Sequence, residues 1–159
     1  LKEVVREGYI PDAAWPHFHQ LTVLPYPEVA IVRERDDGRW ELLLTRRQDE
    51  HWDGWHIPGG LWKVRDGKDF PAICGKIAQR ELAVPAEQVR FVRVVVVYVW
   101  TDHPYSHPLS VVCLCQTDRE IEETEAVQFF SAEELPKPMV NHHREFCLEV
   151  FQDLEEKGL

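Results

Sequence analysis

The sequence contains no long hydrophobic run. No stretch of its 159 residues approaches the roughly 20 consecutive apolar residues that a transmembrane helix requires. The first residues, 1 to 7, alternate charged with apolar side chains and do not form the apolar core of a signal peptide. These features predict a soluble, cytoplasmic protein with no membrane partner.

Positive charge is also scarce. The chain carries 18 Lys and Arg against 28 Asp and Glu, a formal net charge of -10. Such a chain repels a polyanion, so a nucleic-acid polymer is not expected as a partner. A small anion is still compatible with this charge, because a bound divalent ion inverts the local field.

Cysteine is infrequent, and its spacing matches no metal-binding pair. None of the four cysteines, Cys74, Cys113, Cys115 and Cys147, belongs to a C-x-x-C motif. Cys113 and Cys115 lie two residues apart in an apolar stretch, which places them on one face of a strand. We interpret the four as buried free thiols, with a zinc site or a disulfide as the alternative.

The length and composition favour one domain. A chain of 159 residues with 44% hydrophobic content closes one sizeable core. We divide it into an N-terminal arm over 1–20, a helical segment interrupted by Pro11 and Pro16, and a single domain over 21–159.

Strand and helix signals alternate along that domain. Apolar and β-branched runs predict strands over 28–34, 40–44, 89–100, 109–116 and 126–130. Apolar residues at helical spacing predict a helix over 69–83, capped by Asp69, and a closing helix capped by Asn141. Ser131 opens a capping box that predicts a further short helix, and His142 and His143 are expected to be exposed at the start of the closing helix.

The most specific motif is the segment Gly54-Trp55-His56-Ile57-Pro58-Gly59-Gly60, followed by the helix that ends in Arg80-Glu81-Leu82. Glycine permits positive φ and a close approach of the backbone. Mg²⁺ prefers hard oxygen ligands and completes its shell with phosphates and water. In these residues the chain resembles the Nudix hydrolase family, in which such a loop and helix hold Mg²⁺ against a diphosphate.

This resemblance implies an α/β/α sandwich with a mixed β-sheet, a homodimer, and Mg²⁺-dependent hydrolysis of a nucleoside-diphosphate-linked small molecule. The chain departs from the family pattern in its acidic residues. Asp66 stands at the sixth place after Gly60, Lys76-Ile77 stands where the pattern has Arg-Glu, and Arg80 stands where the pattern has the other Glu of its second pair. Glu81 is the one helix glutamate that remains.

The reduced box is similar to the GDP-mannose glycosyl hydrolase branch of the family, which implies a nucleotide-sugar such as a GDP-sugar as substrate. Carried over by position, the resemblance implies that Glu81 and the Gly59 carbonyl bind Mg²⁺, or Mn²⁺ in its place, and that Arg47 contacts the substrate. Glu123 falls near a third ligand position, and Asp66 is a further metal candidate whose alternative role is to form a turn.

Two positions of that branch are not matched: Leu61 replaces an arginine, and Thr124 replaces the histidine that serves as general base. The base must then come from elsewhere, since it needs only reach and a suitable pKa. The candidates are His103, His107 and Glu125.

Other side chains are candidates for substrate binding. Lys76 and Arg80 have the charge to bind phosphate, with solvation of the helix as the alternative. Trp52 and Trp62 have rings that stack a nucleobase, with core packing as the alternative. Two rival functions stay open: a pyrophosphohydrolase that attacks phosphorus, and a catalytically inactive Nudix-like module that binds nucleotide-sugars.

Overall fold

The computed structural model describes residues 14, 17–18, 21–103 and 106–159. Most of the predicted N-terminal arm therefore lies outside the described residues. The described chain forms six strands and two α-helices: β1 (Val23–Glu34), β2 (Trp40–Gln48), β3 (Asp53–His56), α1 (Phe70–Leu82), β4 (Val89–Val99), β5 (His107–Thr117), β6 (Val127–Phe130) and α2 (His143–Lys157). Of these described helices, neither is long and apolar enough to cross a membrane.

The strands form one mixed sheet in the order β3-β2-β1-β5-β4, and β6 pairs with β2 outside this path. β1 is the central strand. Its last residues, Val32 to Glu34, pair antiparallel with β2, whereas Val23 to Ile31 pair parallel with β5. The sheet therefore divides around β1, with β2, β3 and β6 on one side of it and β4 and β5 on the other.

Each face of the sheet is covered by one helix. Alternate residues of a strand point to opposite faces, so Ala30 and Val32 of β1 pack in the core that contains Phe146 and Val150 of α2. The intervening residues belong to the core on the α1 side, with Ile73 and Ile77 of that helix; they are Val29 and Ile31. The predicted α/β/α sandwich with a mixed sheet is confirmed.

The four cysteines are buried free thiols, as predicted. Cys74, Cys113 and Cys115 belong to the core on the α1 side, and Cys147 belongs to the core on the α2 side. Burial raises the pKa of Cys147 to about 12, and the hydrogen bond with Cys74, followed by burial, raises the pKa of Cys113 and Cys115. These side chains therefore pack as small hydrophobic groups.

The start of α1 agrees with the sequence, because the Asp69 side chain accepts a hydrogen bond from the Ala72 amide at 3.0 Å. Two other expectations are wrong. The Ser131 segment forms only a turn, in which its hydroxyl donates to Glu134 at 3.1 Å. Asn141 does not cap α2: its side chain donates to Asp102, and His142 occupies the N-cap position.

β1 begins earlier than predicted and contains two prolines. The backbone amides of Gly60 and Trp62 donate to the carbonyl oxygens of Pro27 and Pro25, at 3.2 and 3.0 Å. Proline has no N–H group but keeps its carbonyl, so it suits a strand whose neighbour supplies only donors at those positions. This pairing fixes the Gly-rich segment alongside β1.

Candidate active site

The Pro58-Gly59-Gly60 turn is held tightly against β1. The Val29 amide donates to the Pro58 carbonyl at 2.7 Å, and Glu28 and Gly59 form an isolated antiparallel bridge. The turn therefore lies at the level of Glu28, where the apolar run of β1 begins.

Each of the two glycines of this turn leaves space for one charged side chain to approach the backbone closely. A Cβ on Gly59 would collide with Glu28 Oε2, and a Cβ on Gly60 would collide with Arg80 Nη2. The positive φ expected of these glycines is absent: among the described glycines it occurs at Gly38, Gly67 and Gly158. Close approach of side chains to the backbone is the property that this turn uses.

A cleft of about 590 Å³ opens beside the turn. Five segments of the chain line it: the end of β2, the end of β3, the glycine turn, the end of α1 and the start of β6. Their lining residues are Thr45, Arg46, Arg47, Gln48, His56, Gly59, Gly60, Arg80, Glu81, Ala126 and Val127. The structure therefore brings together four residues that the sequence analysis names for metal or substrate: Arg47, Gly59, Arg80 and Glu81.

Positive charge dominates the lining of the cleft, in contrast to the net charge of the chain. Arg80 Nε lies 2.7 Å from Glu81 Oε1, and Arg47 Nε lies 2.5 Å from Asp49 Oδ2. Arg46 pairs with Asp53. Arg46, Arg47 and Arg80 are lining residues of the cleft and Glu81 is its single lining carboxylate, a composition that favours a phosphate-bearing ligand.

The residues present fit one Mg²⁺ ion shared with a diphosphate. Glu81 and the Gly59 carbonyl supply two hard oxygen ligands in the same cleft, and Mg²⁺ is commonly bound through one or two carboxylates plus substrate phosphates. The described residues contain no cluster of three or more His, Cys, Asp or Glu suited to a metal. A site for several metal ions held by protein ligands alone does not fit this donor set.

A second polar region lies beside the cleft and is buried. Ser110 Oγ donates to Glu28 Oε1 at 3.1 Å and accepts a hydrogen bond from Trp100 Nε1 at 2.9 Å. Burial raises the pKa of Glu28 to about 8, against the opposing effects of the Ser110 hydrogen bond and of Arg47. One sequence signal could have indicated the burial of Glu28: it is a glutamate directly before the apolar run that begins at Val29.

The rings of His56 and His143 lie side by side, with centroids 5.5 Å apart, and the expectation that His143 is exposed is wrong. His56 is half-buried, whereas His143 is buried and lines the same cavity as Glu28. Only 4% of His143 is accessible, because the start of α2 packs against the segment after β3, where His143 Nδ1 accepts a hydrogen bond from the Ile57 amide at 3.2 Å. The proton of neutral His143 is therefore on Nε2.

His56 holds the opposite tautomer. Its Nδ1 lies 2.8 Å from the Ile57 carbonyl oxygen, an acceptor, so Nδ1 carries the proton and Nε2 accepts from the Thr45 hydroxyl at 3.1 Å. Burial lowers the pKa of His56 to about 4 and that of His143 well below its ordinary value. Both rings are neutral at pH 7.

Four other candidates lie away from the cleft lining. Asp66 Oδ2 accepts from the Lys63 amide at 3.1 Å in a 3-10 turn, and Glu123 Oε1 lies 2.9 Å from Arg33 Nη2. Lys76 is exposed on α1, and Trp62 Nε1 donates to the Gly67 carbonyl at 3.1 Å. Their roles in metal or substrate binding stay predictions.

The remaining candidates fall in three places. His103 and Trp52 line a small cavity that also contains Glu28. His107 is exposed at the start of β5. Glu125 is exposed and directly precedes Ala126, which lines the cleft. The choice among His103, His107 and Glu125 as base stays a prediction.

Comparison with protein-family models matches residues 24–150 to the NUDIX domain. The chain therefore belongs to the Nudix family, as the resemblance predicted. Nudix enzymes generally use divalent metals such as Mg²⁺ and act on small nucleotide substrates. The family supports the prediction of a hydrolase. A comparison with curated proteins found no match.

Solved structures with the same fold share little sequence with this chain. A Nudix hydrolase from M. smegmatis, RenU, is 15% identical over 86% of this chain and 89% of its own, with a TM-score of 0.64. The NUDIX domain of Shewanella oneidensis NrtR, solved with ADP-ribose, is 13% identical over 96% and 97%, with a TM-score of 0.65. A UDP-X diphosphatase is 19% identical over 98% and 76%, with a TM-score of 0.60.

Proposed function

We propose that this chain catalyses the Mg²⁺-dependent hydrolysis of a nucleoside-diphosphate-linked small molecule, with a nucleotide-sugar such as a GDP-sugar as the expected substrate. The observation that carries the proposal is the meeting of Glu81, the Gly59 backbone and three arginines in one cleft. A diphosphate needs this combination of a metal site and cationic side chains.

The arginines and the metal ligands have separate roles in the proposed reaction. Arg46, Arg47 and Arg80 bind the diphosphate and share the negative charge that grows on it as the leaving group departs. Glu81 and the Gly59 carbonyl would hold one Mg²⁺, which lends Lewis acidity to the phosphoryl oxygens when bound. Arg80 also pairs with Glu81, so a bound phosphate would compete with the Glu81 carboxylate for this guanidinium group.

Glu125 is our proposed general base. It is exposed and adjoins Ala126 and Val127 at the rim of the cleft, where water is available for activation. His103 and His107 are the alternatives, and His103 lines the adjacent cavity and not the cleft itself.

Two observations support alternative functions. The UDP-X diphosphatase among the structural relatives favours attack at phosphorus as a second candidate. The Arg80–Glu81 ion pair favours a third, a binding module in which the glutamate no longer holds metal. The NrtR NUDIX domain, a structural relative, was solved with ADP-ribose bound.

A substrate panel tests the proposal. Nucleotide-sugars, dinucleotides and nucleoside triphosphates are assayed with and without Mg²⁺, and products are identified. We expect turnover of a diphosphate-linked substrate only with metal, and ¹⁸O from water in the sugar. Label in phosphate selects the phosphorus-attack candidate, and binding without turnover selects the binding module.

Two further expectations accompany the proposal. We propose a homodimer, which sedimentation at several protein concentrations tests. We also propose a cytoplasmic location, which fractionation of cells that express the protein tests.

A further inference from the structure

A small cavity of about 150 Å³ lies next to the cleft, and Arg47 lines both. Pockets that enclose whole drug-sized ligands measure roughly 300–1,000 Å³, so this cavity suits a single ring system. A ligand whose diphosphate binds the arginines of the cleft can therefore extend one ring past Arg47 into the cavity.

Two indole rings form walls of this cavity. The centroids of Trp52 and Trp100 are 6.2 Å apart with an interplanar angle of 80°. Trp100 is buried and fixed by its hydrogen bond to Ser110. A rigid aromatic wall stacks any planar base, whatever its identity, so the walls supply affinity without selectivity.

Polar groups on the lining supply the selectivity. Among the described residues Ser110 is the one side chain that donates to Glu28, which lies on the cavity lining. Burial raises the pKa of this carboxyl and keeps it mostly protonated near pH 7, and a pair of N–H donors from a ligand favours its ionised form, which offers about four acceptor positions. A buried carboxylate with unfilled acceptor positions is costly unless a ligand or water supplies donors. His143 adds an Nε2–H donor on the same lining.

We propose that this cavity is the subsite for the heterocyclic base of the substrate, and that Glu28 selects a base whose edge presents adjacent N–H donors, namely guanine. Guanine places N1–H and the 2-amino group side by side, with the O6 acceptor next to them. Adenine and cytosine each offer one amino group beside an acceptor nitrogen, and uracil offers a single N–H between two carbonyl groups. The inference rests on the proposed function, because the diphosphate must bind the cleft for the base to reach the cavity.

The structural alternative is a cavity that holds only ordered water. Water also satisfies a buried carboxylate, but it gives no preference among bases. A site built to bind a donor on the ligand rejects analogues that lack that donor, because its own buried polar group is left unpaired. Discrimination between guanine and hypoxanthine, which lacks the 2-amino group, therefore separates the two explanations.

The test is isothermal titration calorimetry with GDP, IDP, ADP and pyrophosphate in the presence of Mg²⁺. In the wild-type protein we expect GDP to bind at least 10-fold more tightly than IDP or ADP. Glu28→Gln should reduce the preference for GDP over IDP to less than 3-fold and leave the affinity for pyrophosphate within 2-fold. Glu41→Gln is the matched control, since Glu41 is also a buried carboxylate on a strand but pairs with Arg33 and Arg35.

The comparison of GDP with IDP needs only the wild-type protein, so it tests the base selectivity of the cavity even if Glu28→Gln fails to fold. Equal affinities for GDP, IDP and ADP overturn the inference. A guanine preference that persists in folded Glu28→Gln overturns the role of Glu28. If pyrophosphate binds and base identity has no effect, the inference fails while the proposed function survives; if pyrophosphate does not bind, both fail.

Discussion

Two polar regions adjoin the same glycine turn and differ in their access to solvent. The cleft beside Gly60 contains the Arg80–Glu81 pair, in which the two side chains are 44% and 37% exposed. The cavity beside Gly59 contains Glu28, which is 6% exposed and whose pKa burial raises to about 8. Each region has a carboxylate near a glycine, but water reaches only one of them freely.

One glycine turn borders two regions with different chemical roles. An exposed ion pair contributes about 0–1 kcal/mol, so phosphate and metal can replace the Arg80–Glu81 contact at little cost. A buried polar group left without a hydrogen-bond partner costs about 1–3 kcal/mol, so the Glu28 region favours ligands that supply the partner it needs. The cleft is suited to bind charge, and the cavity is suited to discriminate.

The largest effect is expected for Glu81→Gln, which removes the carboxylate on the exposed side of this comparison. We expect kcat/KM to fall about 100-fold or more, the size of effect seen when a group that stabilises transition-state charge is lost. Steady-state kinetics at saturating Mg²⁺ measures it. Glu87→Gln, a substitution in the 3-10 turn after α1, is the control and should retain wild-type rates; activity within a few-fold of wild type in Glu81→Gln contradicts the ligand role.

Gly59→Ala is expected to destabilise the fold by about 3 kcal/mol, near the upper range for overpacking a core. The added methyl would meet the buried Glu28 carboxyl group and would lie 3.0 Å from the Pro27 carbonyl oxygen, which belongs to the fixed backbone of β1. Gly60→Ala should cost clearly less, because the Arg80 guanidinium that it meets is exposed and flexible. Urea denaturation of both variants measures the difference, and equal costs would remove the contrast between the two sides of the turn.

The buried histidines predict a loss of stability in acid. Above pH 6.5 they are neutral in both the folded and the unfolded chain. As the pH falls from 6.5 towards 4, the unfolded chain binds protons that folded His56, with its pKa of about 4, does not. The contribution of each histidine to the free energy of unfolding should therefore fall, by at most about 1.4 kcal/mol per pH unit. Glu28, with its pKa of about 8, opposes one of the two histidines over this range, because the folded chain already holds its proton.

Urea denaturation across this pH range measures the slope. His56→Gln should remove the share of His56, and the double substitution with His143→Gln should flatten the profile further. An unchanged slope in the double variant would show that these rings are accessible to protons in the folded chain.

The smallest effect is expected for Asp66→Asn. Asp66 accepts a hydrogen bond from the Lys63 amide, and asparagine keeps an acceptor at that place, so we expect a loss of less than about 1 kcal/mol. The Mg²⁺ concentration for half-maximal activity should shift much less than in Glu81→Gln. A shift in this Mg²⁺ concentration as large as that in Glu81→Gln would indicate that Asp66 is a metal ligand.

Local sequence patterns were sufficient for most of the fold. β-branched runs located β4 and β5, and Asp69 marked the start of α1, because these signals act between residues close in the chain. Glu81 and Gly59 were recognisable through their spacing in a known motif. The ends of elements were less predictable: β1 begins at Val23 because the Gly60–Trp62 segment and β5 lie beside it, and Ser131 and Asn141 offered caps that no helix uses.

The buried polar region depended entirely on tertiary structure. In the sequence Glu28 lies 82 residues from Ser110 and still farther from His143. Each of these residues by itself has the pattern of an ordinary surface side chain. Their shared burial exists because β1 and β5 pair in parallel and because α2 closes the same face of the sheet. Desolvation, which sets the pKa of these groups and their need for partners, is a property of the assembled neighbourhood and has no counterpart in local sequence.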